Sequence, residues 1–436
     1  MKNDPGHGRR REGPEGVPAH PDSAQRLSRR TLLTGTGLAS AALAGAAVST
    51  GLSVASATPS GASVPDVAAT VPFHGPHQSG VATPEQAHLV FAAYDVTAEG
   101  APGLAALLAT WTAAAERLTS GLPVSGPSGL FAPPPDTGES LGLGPSRLTL
   151  TIGFGPGLFD PRFGLGPHRP EALVDLPAFA GDDLDPALSG GDLCLQACAD
   201  DAQVAFHAVH NLTRLAEGSA TLRYLQLGFG RTASAGAGQP VPRNLLGFHD
   251  GTNNLVSTDG GAMDRFVWVD RTAGPSWMVG GTYLVSRRIR IHLEAWDRST
   301  LDDQEQTIGR VKDNGAPLGS TRPDAPVELS ALGPDGQPLI PTHAHIRVAA
   351  PASNAGQAIL RRGYSFVDGI DPVTGELDAG LFFICFQKDP RRQFIPIQQT
   401  LSAHDALVEY LVPTGSAVFA CPPGISAGRG WGHGLL

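Results

Sequence analysis

Apolar and polar positions change between strand-like and helix-like patterns through residues 85–235. Some runs are continuously apolar or alternate residue by residue, as strands do, and others carry apolar residues at helical spacing. The strands predicted in this way are residues 88–94, 147–154, 192–199 and 222–229. The predicted helices are residues 103–120 and 200–215. The resulting order, β-α-β-β-α-β, is that of the ferredoxin-like motif.

A similar order of elements is predicted in residues 236–436, without a residue-level repeat. The strands predicted there are residues 281–296, 345–349, 381–386 and 417–421. The predicted helices are residues 301–311 and 401–411. A segment rich in Gly, Pro and Ala at 233–242 is the predicted seam. The sequence therefore predicts an α+β fold of two ferredoxin-like halves, 85–235 and 236–436, with antiparallel sheets. Because such halves leave sheet edges that pair readily, a homodimer is also expected.

The first 57 residues have the features of an export signal. A basic region ends in the twin-arginine pair Arg29-Arg30, an uncharged run covers residues 31–57, and the small residues of Ala55-Ser56-Ala57 suit a signal peptidase. The uncharged run is diluted by Gly, Ser and Thr, although a weak membrane anchor is the alternative. We expect a twin-arginine signal peptide at 1–57, a flexible leader at 58–84, and an extracytoplasmic protein with no membrane anchor after cleavage.

Charge and cysteine content exclude some classes of protein. The net charge is −10, and Lys and Arg do not cluster beyond the N-terminus, which argues against a nucleic-acid partner. The chain has 4 Cys in 436 residues, too few for a disulfide scaffold. No Cys-x-x-Cys-His motif occurs, so covalent attachment of a c-type haem is excluded.

Three short motifs carry candidate chemistry, and each has an ordinary structural alternative. His343 and His345 lie on one face of a predicted strand, where they could form a metal pair, a lone axial ligand or a structural histidine. Asp250 lies between glycines that allow close approach of a flat ligand, or that form an ordinary turn. Arg361-Arg362 could bind a carboxylate or an oxyanion, or be a surface pair.

The order of these motifs, together with Gly380-Leu-Phe-Phe-Ile-Cys-Phe-Gln387, resembles the dye-decolourising peroxidase family, in particular its exported deferrochelatase/peroxidase branch. The resemblance covers essentially all of the chain after the export signal. It implies two ferredoxin-like halves in a barrel-like α+β sandwich. It also implies one haem b per chain, held by the C-terminal half without covalent links.

The resemblance also implies roles for residues on both sides of the haem. His345 is similar to the axial iron ligand, and Asp405 to the carboxylate that holds its imidazole. Asp250 is similar to the acid–base residue of the distal side, where peroxide binds, and Arg361 to the distal arginine. Further contacts with the haem are implied for Gly251, Thr252, Asn253 and Phe383. Relatives often carry an Arg beyond a Pro after the axial segment, but this chain has Ala350-Pro351-Ala352. Arg347 or a loop residue is therefore expected to bind the propionates.

The function implied by the resemblance is oxidation of dyes, phenols or porphyrinogens with hydrogen peroxide. The partners would then be hydrogen peroxide and small aromatic or porphyrin reductants. A deferrochelatase that releases iron from haem for iron acquisition is the alternative, and a ferredoxin-like binding module without haem is a third reading.

Overall fold

The computed structural model describes residues 68–126, 128–230 and 242–436, so the predicted signal peptide lies outside the described residues. Residues Ser63–Leu436 form one compact unit. The strands in the described part are β1 (His88–Val96), β2 (Thr149–Phe154), β3 (Leu193–Ala199), β4 (Ala220–Phe229), β5 (Thr282–Ile291), β6 (Leu360–Arg361), β7 (Tyr364–Ile370), β8 (Leu377–Gln387) and β9 (Leu411–Cys421). The α-helices there are α1 (Gly100–Thr119), α2 (Ala202–Leu215), α3 (Gly260–Phe266), α4 (Leu293–Arg298), α5 (Leu301–Ile308), α6 (His345–Val348) and α7 (Phe394–His404). None of these helices is both long and apolar enough to cross a bilayer.

The strands form one antiparallel sheet that closes on itself. Its order is β5-β9-β2-β3-β1-β4-β7-β8-β6, and β5 also pairs with β8. The predicted α+β fold, with antiparallel strands in a barrel-like arrangement, is therefore confirmed. The order of elements predicted for residues 85–235 is the order observed. The division into two ferredoxin-like halves and the homodimer stay predictions.

The outer helices bury the apolar faces that their sequences predicted. Helix α2 packs against β1 and β3 and against α1. Trp111 of α1 is fully buried and its indole N–H donates to the carbonyl of Leu212 in α2 at 2.7 Å. This hydrogen bond satisfies the polar atom of a large buried ring. The two helices thereby cover the strands of the first half with a packed apolar layer.

Three predicted elements of the second half differ from the structure. The predicted strand 345–349 is the short helix α6, so His343 and His345 do not share a strand face. The predicted strand 281–296 ends at Ile291 and continues as α4. The predicted helix 401–411 instead comprises the end of α7, a 3₁₀ helix Ala406–Tyr410 and the start of β9. A helix of one turn is too short to show a helical period, so its sequence resembles a strand.

Part of the predicted leader is built into the fold. Gln78 is buried, and its side chain donates to the carbonyls of Ile152 and Pro422 and accepts from the amide of Ile152. Val81 is buried as well. Residues 78–81 are therefore anchored to β2 and to the C-terminal segment, because they satisfy backbone groups that would otherwise be buried without partners.

Candidate active site

The loop that carries Asp250 is shaped by a tight turn. Asn244 accepts hydrogen bonds from the amides of Leu246 and Phe248 through its side chain, and its own amide donates to the Phe248 carbonyl. Gly247 has φ +83°, a backbone conformation that strongly favours glycine. The turn delivers Asp250 to the end of β6.

Asp250 and Arg361 form an ion pair at this end of the sheet. Nη1 of Arg361 donates to Oδ1 of Asp250 at 2.7 Å, and the same oxygen accepts from the Gly251 amide at 2.7 Å. The side chain of Arg361 is 27% exposed and that of Asp250 is 15% exposed, so a ligand can reach the pair although most of it is shielded from bulk water. The two residues singled out by the sequence are therefore brought together by a loop and a strand more than a hundred positions apart.

Arg361 and Arg362 have different surroundings. Arg361 pairs with Cys385 of β8 and its guanidinium meets Asp250. Arg362 is 1% exposed and donates to the Thr83 carbonyl and to the side chain of Gln86. The surface-pair reading of these arginines is therefore wrong, because Arg362 is inside the protein and anchors the strand that presents Arg361.

Asn254 holds Arg361 in place, and the sequence analysis did not single it out. Its amide donates to the Arg361 carbonyl at 2.8 Å and accepts from the Arg361 amide at 2.9 Å. A primary amide bridging both backbone groups of one residue ties the Asp250 loop to β6. The predicted neighbour Asn253 is exposed. The two neighbouring asparagines look alike in the sequence, and only the structure shows that Asn254 bonds Arg361.

We predict that Asn254→Ala slows the reaction with hydrogen peroxide about tenfold while cofactor content is retained. Two hydrogen bonds of about 1 kcal/mol each would be lost, and Arg361 would be held less firmly against Asp250. Stopped-flow measurement of the peroxide reaction checks this. Asn253→Ala is the matched control, and an equal effect of both variants would contradict the assignment.

His345, at the start of α6, is backed by a buried carboxylate. Its Nδ1 lies 2.6 Å from Oδ2 of Asp405, whose side chain is 2% exposed. The other oxygen of Asp405 accepts from the Leu407 amide at 2.9 Å and so caps the 3₁₀ helix. The imidazole itself is 34% exposed, which leaves Nε2 available to a ligand. This histidine–carboxylate arrangement is typical of an imidazole prepared to bind a metal.

Charges around His345 link it to the Asp250–Arg361 pair. Burial lowers the pKa of His345, but the charge and hydrogen bond of Asp405 outweigh burial and the pKa is raised. Arg361 also lowers this pKa and Asp250 raises it. Both charges are therefore near enough to act on the imidazole, and the two pairs belong to one site.

Arg310 is a second residue that the sequence analysis gave no role. It is 4% exposed, and Nη1 donates to the Gly315 carbonyl at 2.8 Å. Burial and the nearby charge of Arg361 lower its pKa, and the charge of Asp250 raises it by less. Among the described residues, no carboxylate lies within ion-pair distance of Arg310. A buried cation in this situation is costly unless an anion accompanies it.

The remaining predicted contacts are distributed around this pair. Phe383 lies on β8 two positions from Cys385, the register partner of Arg361, so both β8 side chains point to the same face. Gly251 has φ +80° and donates to Asp250, and Thr252 is half-buried beside it. The haem contacts assigned to these residues stay predictions.

Arg347, which the sequence analysis considered for the propionates, contacts backbone carbonyls. Its guanidinium donates to the carbonyls of Leu329, Ile340 and Pro341 at 2.7 to 3.1 Å. These bonds hold the loop that precedes α6 against the helix. Carbonyls take Nε and Nη2 of this side chain, so Arg347 clamps the loop, and its contact with a propionate stays a prediction beside that of Arg310.

Comparisons with known proteins give consistent matches. The family model described as "Dyp-type peroxidase, N-terminal" matches residues 78–230, and the one described as "Dyp-type peroxidase, C-terminal" matches residues 241–426. A deferrochelatase of Yersinia pestis bv. Antiqua (strain Nepal516) is 38% identical over 433 residues, which is 96% of this chain and 97% of that protein. A deferrochelatase of Escherichia coli (strain K12) is 37% identical and covers 84% of this chain and 87% of its own length.

Solved structures agree with these matches. The oxyferrous complex of DtpA from Streptomyces lividans is 40% identical, with a TM-score of 0.77 over 85% of this chain and 98% of its own. A DyP-type peroxidase from Streptomyces coelicolor is 40% identical, with a TM-score of 0.78 over 85% of this chain and 97% of its own.

Proposed function

This chain belongs to the Dyp-type peroxidase family, and from that premise we propose that it is a haem peroxidase in which His345 holds the iron and Asp250 and Arg361 act on hydrogen peroxide. The observation that carries the proposal is the pairing of Asp250 with Arg361 within electrostatic reach of an imidazole backed by Asp405. The reductants we propose are dyes, phenols or porphyrinogens.

The residues of the site fit a haem b, one per chain. A neutral imidazole with its Nδ1 hydrogen-bonded to a carboxylate is a strong iron ligand through Nε2. The buried guanidinium of Arg310 lacks a carboxylate among the described residues and suits a propionate. The four cysteines in the described residues are buried and free, and none belongs to a haem-attachment motif, so a covalent bond between cysteine and haem is not expected. Haem iron would supply the centre at which the oxygen–oxygen bond of hydrogen peroxide is broken.

The distal residues supply proton transfer and charge stabilisation. Both hydrogen bonds of Asp250 described above fall on Oδ1, so we assign Oδ2 to accept a proton from the inner peroxide oxygen and return it to the outer one. Arg361 would stabilise the negative charge that develops on the departing hydroxide, because Asp250 orients its guanidinium and Asn254 holds its backbone.

Deferrochelatase activity is the second candidate function. The curated relatives from Yersinia pestis and Escherichia coli carry that name and are similar over most of this chain. Iron release would need a haem pocket and two protons to replace iron on the pyrrole nitrogens, but no cleavage of an oxygen–oxygen bond. Accumulation of iron-free protoporphyrin without peroxide would support it, and peroxide-dependent oxidation of a reductant supports the peroxidase.

We predict that the protein expressed with sufficient haem supply shows a Soret band, and that His345→Ala loses it or binds haem much more weakly. The reason is that the axial bond to iron disappears, while Asp405 keeps its hydrogen bond from the Leu407 amide and the fold is expected to stay intact. Absorption spectra and circular dichroism check both parts. The control is His433→Ala, an exposed histidine at the C-terminus. A full Soret band in His345→Ala would contradict the assignment of the ligand.

We predict opposite effects of Arg310→Gln on the haem-free and haem-bound forms. Haem affinity should fall about ten- to a hundredfold, since a charge-assisted hydrogen bond contributes about 1.5–3 kcal/mol. The haem-free protein should keep or raise its melting temperature, because a buried cation without a carboxylate is removed. Haem titration measures the affinity, and thermal unfolding measures the melting temperature of the haem-free protein. Arg322→Gln, at an exposed arginine, is the control. Lower stability of the haem-free form with unchanged affinity would refute the role.

We also propose that residues 1–57 direct export by the twin-arginine route, so that the enzyme works outside the cytoplasm. The basic pair, the uncharged run and the small residues at 55–57 support this. Replacement of Arg29 and Arg30 by Lys, followed by cell fractionation, tests it.

A further inference from the structure

A cleft of about 580 Å³ lies on the axial-histidine side of the protein. One wall is a tight hairpin in which the Gly333 amide donates to Gln337 and the Leu339 amide donates to Ala331, at 2.7 and 2.9 Å. The lining also includes Gln306 of α5 and His343. The volume is within the range of small-molecule sites.

The lining of the cleft is suited to an uncharged aromatic molecule with a hydroxyl group. Pro334, Pro338 and Leu339 supply flat apolar walls. Asp335 supplies a carboxylate and His343 an imidazole that is exposed and has no hydrogen-bond partner among the described residues. Because a carboxylate lines the cleft and no Lys or Arg does, an anionic aromatic ligand would be repelled.

A second cleft, of about 620 Å³, has the opposite character. It lies between the segment at His74 and the C-terminal segment and is lined by Arg429 and His433. Cationic groups without a lining carboxylate would favour anions there. The two clefts can therefore be distinguished by the charge of the ligand and by their histidines, which are His343 in the first and His74 and His433 in the second.

The first cleft has a short covalent connection to the axial ligand. His343 precedes His345 by two residues, a separation of at most about 7 Å between their Cα atoms. The His343 carbonyl also accepts from the Ala406 amide at 3.0 Å, next to Asp405. On the other side, Ala344 packs against Gly309, where a Cβ would approach Ala344 to 3.2 Å. The part of the cleft lining formed by His343 is thus fixed to the residues that hold the axial imidazole.

We propose that this cleft binds a phenolic reductant, with His343 at the ring and Asp335 at the hydroxyl. The proposal rests on the proposed peroxidase function and names a site for its reductant. Each phenol loses one electron, which enters through the His343–His345 segment, and one proton, which passes from its hydroxyl to Asp335 and then to water. Two phenols together supply the two electrons and two protons that convert one hydrogen peroxide into two water molecules.

The test compares binding and turnover of guaiacol. Calorimetry on the resting holoenzyme without peroxide measures its Kd, and steady-state oxidation measures its KM. In His343→Ala we expect both to rise about tenfold, from the loss of contact between the imidazole and the phenol ring. The stopped-flow rate with hydrogen peroxide should not change. In Asp335→Asn the guaiacol kcat should fall with little change in Kd.

His433→Ala is the matched control, because it removes the exposed histidine of the other cleft. If His433→Ala, and not His343→Ala, weakens guaiacol binding, the proposal is overturned. Unchanged Kd and KM in both variants overturn it too. Failure of the peroxidase function would look different: the parent protein would then not reduce hydrogen peroxide with any reductant.

Discussion

Asp250→Asn is expected to slow the reaction with hydrogen peroxide about a hundred- to ten-thousandfold, the range that a positioned acid–base residue contributes. The amide keeps the shape of the carboxylate and can still accept from Arg361, which donates to it at 2.7 Å in the parent protein. It cannot accept a proton at the working pH. The loss should therefore appear in the peroxide step, while the Soret band and melting temperature change little.

Stopped-flow spectroscopy at several peroxide concentrations measures this loss directly. Asp264→Asn, an exposed carboxylate of α3, is the control for removal of one negative charge. A rate within about threefold of the parent would mean that another group moves the proton. Iron release breaks no oxygen–oxygen bond, so its persistence in Asp250→Asn would separate the two candidate functions.

Asp405→Asn is expected to lower haem retention or peroxidase activity about ten- to a hundredfold, as loss of the residue behind a metal-bound histidine usually does. Asp405 raises the pKa of His345 through its charge and a 2.6 Å hydrogen bond. An uncharged amide makes the imidazole a weaker donor to iron. The reduction potential of the iron should rise, because the electron-rich ligand that stabilises its oxidised forms is weakened.

The measurements are haem transfer to apomyoglobin and a spectroelectrochemical titration. Asp185→Asn is a closely matched control, because Asp185 also caps a 3₁₀ helix, through a 2.8 Å hydrogen bond from Ala187, but has no histidine partner. Because Asn caps a helix about as well as Asp, this control should change both the stability and the potential little. If haem transfer and the reduction potential were the same in both variants, Asp405 would have only a structural role.

The sequence predicted most of the first half because its elements are long and periodic. Helices α1 and α2 and the strands between them have apolar residues at regular spacing, which burial on one face imposes. The second half was harder, since α6 is a single turn held by its neighbours. Asn354 donates to the carbonyls of Val348 and Ala350 and so fixes the end of this turn. No local pattern encodes such contacts.

What the sequence determined by itself is the chemistry and the periodic elements: the α+β order of the first half, the motif with Asp250, the axial candidate His345 and the arginine Arg361. Tertiary structure decided which of these side chains meet and which neighbours hold them. Asn254 bridges the backbone of Arg361, Arg310 is buried with no carboxylate within ion-pair distance in the described part of the chain, and Arg347 donates to backbone carbonyls. The physical reason is that residue type fixes what a side chain can donate or accept, while partners distant in sequence fix where it does so.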